Sequence, residues 1–536
     1  MSTPGPAGAP GAHAPRPGLV RANVSVALGT ALSRVTGLLR IAVLAWAIGI
    51  SVLSDAYNLA NSTPNIIYEL LLGGVLSAAL VPLFTRSIEE DDDDATSAIV
   101  TVALLALVAL TVVAVVTAPL IVRVYKPSGS EGFADTVTLA RLILPEIFFY
   151  GAMALGSAIL NARRRFFAPA WAPILNNVVV IATALTAGLL TRSTATEVLG
   201  SDKDTVVVWV LGLGTTLGIV LMTVALVPSL RSSGVRVRFL PQWRHPGVER
   251  LVRLSGWTVG YVAANQIALV VVFRFAEGTG VGRLTAFLYA VAFVQLPHGL
   301  LAVSIMTTFG PELARFAVRE DDLGFARTAS LGLRLTALFI VPASVLYVVL
   351  ARPLVSLLLE RGLLRGSSVT LLADTLSAMA FGLLGYSAYL FVLRSFYSRT
   401  DARTPFFLNV FENVAMVVVT ALLVDPYGVR GIGFAWSAAY LAAAVVAVVV
   451  LVRRTPRFNV PLLTSSYVRF GLGAVVMAEV THLVAGWVGS DRGWGALARS
   501  VTAGAAGLAA YAAALLVLRS PELAAVRDRL PGGRRR

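Results

Sequence analysis

The chain lacks cysteine altogether and contains few charged or histidine side chains. The absence of cysteine from its 536 residues excludes a disulfide framework and a thiolate metal site. Only 14% of the residues are charged, whereas about 25% is usual in soluble domains. The four histidines are scattered along the chain and indicate no metal cluster: His13, His245, His298 and His482.

Sequence motifs of the common enzyme classes are also missing. The chain contains no P-loop, no GxSxG elbow, no HExxH motif and no paired Asp-x-Asp motif. The segments between its apolar stretches are too short to form a nucleotide-binding domain. We therefore expect neither an enzyme nor a bound cofactor, and an ATP-driven pump would need a partner subunit.

Long apolar segments dominate what is present. Hydrophobic residues make up 57% of the chain and the mean hydropathy is +0.79, which is typical of an all-α polytopic membrane protein. We predict fourteen transmembrane helices at residues 22–50, 56–84, 96–122, 137–161, 169–191, 205–228, 249–275, 285–308, 328–350, 369–393, 405–424, 431–452, 467–487 and 500–518.

The distribution of basic residues predicts the orientation. With the N-terminus inside, 28 of the 44 lysines and arginines fall on the inner side and 11 on the outer side, so the positive-inside rule places both termini in the cytoplasm. The net charge of +15 is explained by these loop arginines, and we expect no nucleic-acid partner. We predict a disordered tail at 1–20, rich in Pro, Gly and Ala, and a basic tail at 520–536.

An internal repeat divides the membrane region. The segment LNARRRFFAPAWAPILNN (160–177) and the segment FYSRTDARTPFFLNVFEN (396–413) align at an offset of 236, which pairs Arg163 with Arg399, Pro169 with Pro405, and Asn177 with Asn413. The repeat predicts two six-helix lobes of equal orientation, with the substrate path between them. We assign 21–228 to the N-lobe, 229–452 to the C-lobe and 453–519 to two added helices.

Two arginines lie deep in the first predicted helix. Arg34 is 13 residues from Arg21, which is about 20 Å into a hydrocarbon layer about 30 Å thick. A cation at that depth costs at least about 2.5 kcal/mol, so Arg34 and Arg40 must face a cavity or a partner. An ion pair with Glu69 of the second helix is the structural alternative. Guanidinium groups otherwise suit a diphosphate, because they bind oxygens in bidentate fashion and stay charged.

The second helix contains residues that interrupt a regular helix. Pro64 removes a backbone hydrogen bond, and Gly73 with Gly74 allows bending or close helix packing. Pro297 takes the matching place in the eighth helix. We interpret these four residues as hinges, with plain helix packing as the alternative.

The eleventh helix carries polar side chains one turn apart. Asn409, Glu412 and Asn413 share one face, and their oxygens suit a cation. Hydrogen bonding between helices is the alternative that the same residues allow.

Several segments resemble a known family. SRVTGLLRIAVLAWAIG (33–49) and SDAYNLANSTPNIIYELLLGGVLSAALVP (54–82) resemble the start of MurJ/MviN proteins, which are bacterial lipid II flippases of the MOP exporter superfamily. LGSAILNARRRFFAPAWAPILNN (155–177) and RSFYSRTDARTP (394–405) resemble loop signatures of that family. The resemblance covers nearly the whole chain.

The resemblance implies a central cationic cavity, a lipid-tail groove in the last two helices, and alternating access. It implies that membrane potential or a Na⁺ or H⁺ gradient drives transport. Arg34, Arg40 and Asp55 match family positions, and we add Ser33, Asn65 and Glu69 to the predicted substrate site. Asn409 and Asn413 match part of a family cation site. The family arginines of the second and eighth helices are absent here, because their places fall near Tyr68 and Ala292.

The sequence therefore predicts a lipid II flippase of the bacterial plasma membrane. Its partners would be lipid II, membrane lipids and cell-wall synthesis proteins. Two alternatives stay open: an exporter of another cargo from the same superfamily, such as a drug or an oligosaccharide-lipid, and an inactive relative that scaffolds cell-wall enzymes.

Overall fold

The structure is a computed structural model, and it describes residues 17–69, 74–90, 92–193, 202–235, 237–246, 249, 256–360, 363 and 366–523. All regular secondary structure in these ranges is helical. The predicted tail at 1–20 lies mostly outside the described residues, as does the basic tail beyond Leu523.

Residues 17–231 form a first set of helices, here called the N-terminal group. Its members are α1 (Pro17–Ile48), α2 (Val52–Tyr68), α3 (Gly74–Glu89), α4 (Asp93–Val116), α5 (Ala118–Tyr125), α6 (Phe133–Ile143), α7 (Glu146–Ala162), α8 (Phe167–Ser193), α9 (Asp202–Val224) and α10 (Val227–Arg231).

Residues 256–517 form a second set, here called the C-terminal group. Its members are α11 (Gly256–Gly278), α12 (Arg283–Pro297), a π-helical segment (His298–Ala302), α13 (Val303–Val318), α14 (Asp322–Leu359), α15 (Ser367–Ala380), α16 (Leu383–Ser398), α17 (Arg403–Tyr427), α18 (Val429–Arg453), α19 (Val460–Trp487) and α20 (Gly493–Val517).

The predicted number of fourteen membrane helices is not confirmed. In the described ranges 11 helices are long and apolar enough to cross a membrane, or 12 if the bent pair α15 and α16 forms one span. They correspond to the third to fourteenth predicted helices. The first predicted helix, α1, carries three arginines, and the second is divided into pieces of 17 and 16 residues. Each piece is about 25 Å long, shorter than the hydrocarbon layer.

Buried apolar side chains gather mainly into two large clusters, one for each helix group. The first cluster contains residues of α1–α9, and the second draws chiefly on α11–α20. Four residues of the N-terminal group join the second cluster: Ala45, Leu59, Ile66 and Tyr125. The two groups are therefore separately packed bodies that touch along a limited seam.

The two groups repeat one packing scheme. α1 packs along α8 and α8 along α9, and in the same way α11 packs along α17 and α17 along α18. The side-chain amide of Asn177 donates to the carbonyl of Ser33 at 3.0 Å, and that of Asn413 donates to Asn265 Oδ1 at 3.0 Å. Each of the paired asparagines thus joins the fifth predicted helix of its unit to the first.

The two repeat loops also share their backbone geometry. Arg164 and Thr400 are 236 residues apart, and both have φ of 58°. The following residues donate to equivalent carbonyls, Arg165 to Leu160 and Asp401 to Phe396. These matches agree with the predicted repeat, while the exact lobe boundaries stay a prediction.

Candidate functional site

A cavity of about 590 Å³ lies between the two helix groups. Polar side chains from both groups line it. The N-terminal group contributes Arg40, Asn61, Ser62, Asn65, Tyr150, Asn176 and Thr215. The C-terminal group contributes Asn265, Gln266, Gln295, Tyr386, Glu412, Asn413, Trp436 and Tyr440.

Arg40 is the charged residue that the N-terminal group places in this cavity. Its side chain is half-buried, and no carboxylate of the described residues lies within 4.0 Å of it. The buried Glu146 is within electrostatic range of Arg40. Its carboxyl oxygen Oε1 instead accepts a hydrogen bond from the hydroxyl of Thr216 at 3.4 Å. Arg40 is therefore available to an anion in the cavity.

Arg34 occupies a different place. It is not among the described residues that line the cavity, and its side chain is exposed. The guanidinium lies against Gly299 of the π-helical segment, where any side chain would collide with it. Six residues separate Arg34 from Arg40, which is 120° around a helix. This angle explains why only Arg40 reaches the cavity while Arg34 lies at the seam between the groups.

The other predicted substrate residues are divided between several positions. Asn65 is exposed and lines the cavity, whereas the carbonyl of Ser33 accepts a hydrogen bond from Asn177. Glu69, at the end of α2, is half-buried and lies outside the cavity lining. Within the described residues it has no ion pair, so the alternative in which Glu69 neutralises one of the arginines is not observed.

Asp55 lies away from this cavity and joins the two groups. It is 2% exposed, and its carboxylate accepts hydrogen bonds from the N–H of Gly282, the N–H of Thr285 at 2.8 Å and the hydroxyl of Thr285 at 2.7 Å. It therefore caps the N-terminus of α12, where unpaired N–H groups favour an anion. The predicted role of Asp55 in substrate binding stays a prediction.

Further polar contacts surround this cap. Lys126, which follows α5, forms an ion pair with Glu277 of α11 at 3.3 Å, and both side chains are less than a tenth exposed. Arg274 of α11 donates to the carbonyl of Val124 at 3.0 Å. Asn58 donates to the hydroxyl of Thr285 at 3.1 Å. These contacts join the two helix groups at one end of α2, α5 and α11. The predicted orientation places that end on the outer side of the membrane.

Sequence reasoning did not find Lys126, Glu277 or Thr285. Glu277 could have been noticed as an acidic residue at the end of an apolar helix, but nothing in the sequence pairs it with Lys126 across 150 residues.

Among the predicted hinges, Pro297 lies at irregular backbone, whereas Pro64 lies within a helix. Pro64 is buried in α2, which ends shortly afterwards at Tyr68, and Gly74 begins α3. Gly73 lies outside the described residues. Pro297 ends α12 and is followed directly by the π-helical segment. Movement about these points stays a prediction.

The predicted cation residues are separated by the structure. Asn409 and Asn413 both donate from Nδ2 to Asn265 Oδ1, at 2.9 and 3.0 Å. Glu412 lines the cavity beside Tyr440, and Asn413 lines the same cavity. In the part of the chain that the structure describes, no group of three or more His, Cys, Asp or Glu side chains could hold a metal ion. The hydrogen bonds between α11 and α17 are the alternative that the sequence also allowed, and cation binding stays a prediction.

Comparisons with known proteins agree on one family. The family model described as "Lipid II flippase MurJ" matches residues 44–494. The lipid II flippase MurJ of Burkholderia cenocepacia is 30% identical over 398 residues, covering 72% of this chain and 75% of that protein. The probable lipid II flippase MurJ of Vibrio cholerae is 28% identical over 437 residues, covering 78% and 80%.

Solved structures show the same fold. One described as "Lipid II flippase MurJ, inward closed conformation" has a TM-score of 0.77 at 22% identity, covering 94% of this chain and 99% of that one. A multidrug resistance MATE family transporter of the MOP superfamily, in an inward-facing conformation, has a TM-score of 0.65 at 14% identity, covering 79% and 95%. At such identities the likeness concerns the fold alone.

Proposed function

Because the chain belongs to the MurJ family of lipid II flippases, we propose that it moves lipid II from the inner to the outer leaflet of the bacterial plasma membrane. It is a multi-pass membrane protein and a transporter, not an enzyme. The observation that carries the proposal is the cavity between the two helix groups, where Arg40 lines the wall and forms no ion pair with any carboxylate that the structure describes.

Arg40 would hold the diphosphate of lipid II. An unpaired cation inside a membrane protein is costly unless water or an anion meets it. Its guanidinium presents donors in a planar fork that matches phosphate oxygens. Asn65 lines the same cavity and offers further hydrogen bonds. Arg34, exposed at the seam, would meet the anionic head group as it enters between the groups.

Alternating access would follow from separation of the two groups. The cap by Asp55 and the pair of Lys126 with Glu277 close one end of the seam. With both termini cytoplasmic, that end faces outward, so opening it would release the head group outside. Bending at Pro64 of α2 and at the π-helical segment after Pro297 would absorb the change.

The lipid tail would stay in the hydrocarbon layer beside α19 and α20. These two helices pack on each other and on α14 rather than on the N-terminal group. They expose large apolar side chains, including Val468, Leu472, Val475, Leu483, Val501 and Leu508. Such a surface suits membrane lipids and an undecaprenyl chain.

The energy source would be the membrane potential or a Na⁺ or H⁺ gradient. Asn265, Asn409 and Asn413 meet between α11 and α17 beside the cavity, where a bound cation would affect the packing of both helices. Cell-wall synthesis proteins would consume the product outside.

Reconstitution with purified lipid II tests the proposal. Vesicles that contain the protein should expose labelled lipid II to an outer-leaflet reagent, and Arg40→Ala should reduce that rate at least tenfold. Arg430→Ala is the matched control, because Arg430 is exposed and pairs with Asp374 far from the cavity. A wild-type protein that moves no lipid II, but moves another MOP-type cargo, would overturn the proposal.

A further inference from the structure

Three aromatic rings form a compact cluster in the wall that the C-terminal group gives to the cavity. Tyr386 of α16 and Trp436 and Tyr440 of α18 have ring centroids separated by 5.3, 4.9 and 4.8 Å in the three pairs. All three line the cavity. We call these rings the aromatic cluster. The three rings therefore border one common space.

A carboxyl group lies beside this cluster. Glu412 of α17 lines the same cavity, is 3% exposed, and has its carboxyl next to the hydroxyl of Tyr440. Two neighbours on α17, Asn409 and Asn413, turn instead toward Asn265. Glu412 is thus the acidic residue among the described residues that line the cavity.

The described part of the protein supplies no cation to Glu412. None of its lysine, arginine or histidine side chains lies within 4.0 Å of the carboxyl. A buried carboxylate is costly unless it is paired and hydrogen-bonded. Aromatic faces attract cations placed within about 6 Å of the ring centroid. A carboxyl group and three aromatic rings around one space are the chemistry that recognises an ammonium group.

We infer that Glu412 and the aromatic cluster form a subsite for an ammonium group carried by the transported molecule. The inference rests on the proposed function, since it concerns the same cavity. In a lipid-linked disaccharide pentapeptide, the diphosphate is an anion and a side-chain amine of the peptide is a cation. Arg40 and Glu412 are contributed to the cavity by different helix groups, so a head group with both charges would bind in one orientation.

This subsite also supplies selectivity that the arginines alone cannot. A phosphate site accepts any lipid-linked diphosphate, because each of them carries the same anion. The ammonium subsite favours a carrier whose head group has a free amine at a fixed distance from the diphosphate. Carriers of neutral sugars would bind Arg40 and leave Glu412 unpaired, at the cost of a buried carboxylate without a partner.

The experiment compares lipid II with lipid II whose peptide amine has been acetylated. Binding of both to the full chain in lipid nanodiscs is measured for the wild type, Glu412→Gln and Arg40→Ala. The control is Glu479→Gln, the same change at an exposed position of α19 outside the cavity lining. Trp436→Leu, with Trp436→Phe as its conservative partner, tests the aromatic cluster.

The wild type and Glu479→Gln should bind lipid II about tenfold more tightly than the acetylated form, a difference of about 1.4 kcal/mol. Glu412→Gln should bind both forms equally, at the weaker level. Trp436→Leu should lose part of the preference and Trp436→Phe should keep it.

Equal affinity of the wild type for both lipids would overturn the inference, and that result needs no variant to fold. Suppose that the wild type binds both lipids equally and Arg40→Ala binds neither. The proposed function then stands, and the ammonium subsite fails. If Arg40→Ala binds lipid II as tightly as the wild type, the assignment of the diphosphate fails instead. If Arg40→Ala still binds lipid II more tightly than the acetylated form, the inference of an ammonium subsite stands.

Discussion

Asp55 and Thr285 are joined by two hydrogen bonds across the seam between the helix groups. Asp55 Oδ1 accepts from the backbone N–H of Thr285 at 2.8 Å and from its hydroxyl at 2.7 Å. A carboxylate at a helix N-terminus is stabilised by hydrogen bonds from N–H groups and by the helix dipole, and the dipole contribution depends on its negative charge. The two hydrogen bonds therefore join the start of α2 to the start of α12 by charge as well as by shape.

Asp55→Asn should weaken this contact and favour opening of the seam at that end. The chain has no cysteine, so Ser128→Cys and Tyr427→Cys introduce two label sites without background. Both positions are exposed, one near α5 and the other at the end of α17. Spin-label distances should be longer and broader in Asp55→Asn than in the same protein with Asp55 intact. Unchanged distances would show that the cap does not hold the seam closed.

The ion pair of Lys126 with Glu277 should behave as a buried pair. Removing one partner leaves an uncompensated charge, so Lys126→Gln or Glu277→Gln should each reduce the free energy of unfolding by about 3–5 kcal/mol. The double variant should be more stable than either single variant, because no charge is left without its partner. Thermal unfolding in detergent checks this order. Additive losses in the double variant would contradict it.

Gly299 should control the position of the Arg34 guanidinium. A methyl group at Gly299 collides only with the flexible end of Arg34, so Gly299→Ala should cost little stability and yet displace that charge. Lipid II flipping should fall about as far as in Arg34→Ala, and the double variant should show no additional loss. Gly471→Ala is the control, because no atom lies within 4 Å of the added carbon. Normal flipping by Gly299→Ala would contradict the placement.

Local features of the sequence predicted the helices and part of the site. Bilayer thickness determines the length of an apolar span, so twelve predicted helices have observed counterparts. The depth of Arg40 and the repeat that pairs Asn177 with Asn413 are also readable along the chain. These features depend on one segment at a time, or on two segments of similar sequence.

What the sequence could not predict depends on contacts between distant, dissimilar segments. The partner of Asp55 lies 230 residues away, and no sequence pattern links Asp55 to the start of that distant helix. The separation of Arg34 from the cavity depends on how α1 meets the π-helical segment. Glu412 was grouped with Asn409 and Asn413 by spacing alone, but its position beside Tyr440 depends on the way that α17 and α18 pack.

Glu522 should stabilise the folded protein at pH values above its ordinary pKa, and this stabilisation should disappear in acid. It follows α20 and accepts hydrogen bonds from Ser466 of α19 at 2.6 Å, from Ser520 and from Arg334 of α14. Burial alone would raise its pKa, but these hydrogen bonds together outweigh burial and lower the pKa. A lowered pKa in the folded state means that the stabilisation is present above about pH 4.5 and disappears as the pH falls through the folded value.

Glu522→Gln should therefore lower the thermal midpoint at pH 7, by an amount that corresponds to about 3 kcal/mol for a broken buried pair. Arg492→Gln is the control, because the Arg492 side chain is largely exposed in its ion pair with Glu360 and such a pair contributes about 1 kcal/mol or less. As the pH falls through the lowered pKa of folded Glu522, the wild type should lose its advantage over Glu522→Gln, since below that pKa the carboxyl is protonated in both the folded and the unfolded state. A difference that persists unchanged in acid would mean that shape, and not charge, fixes the last two membrane helices to α14.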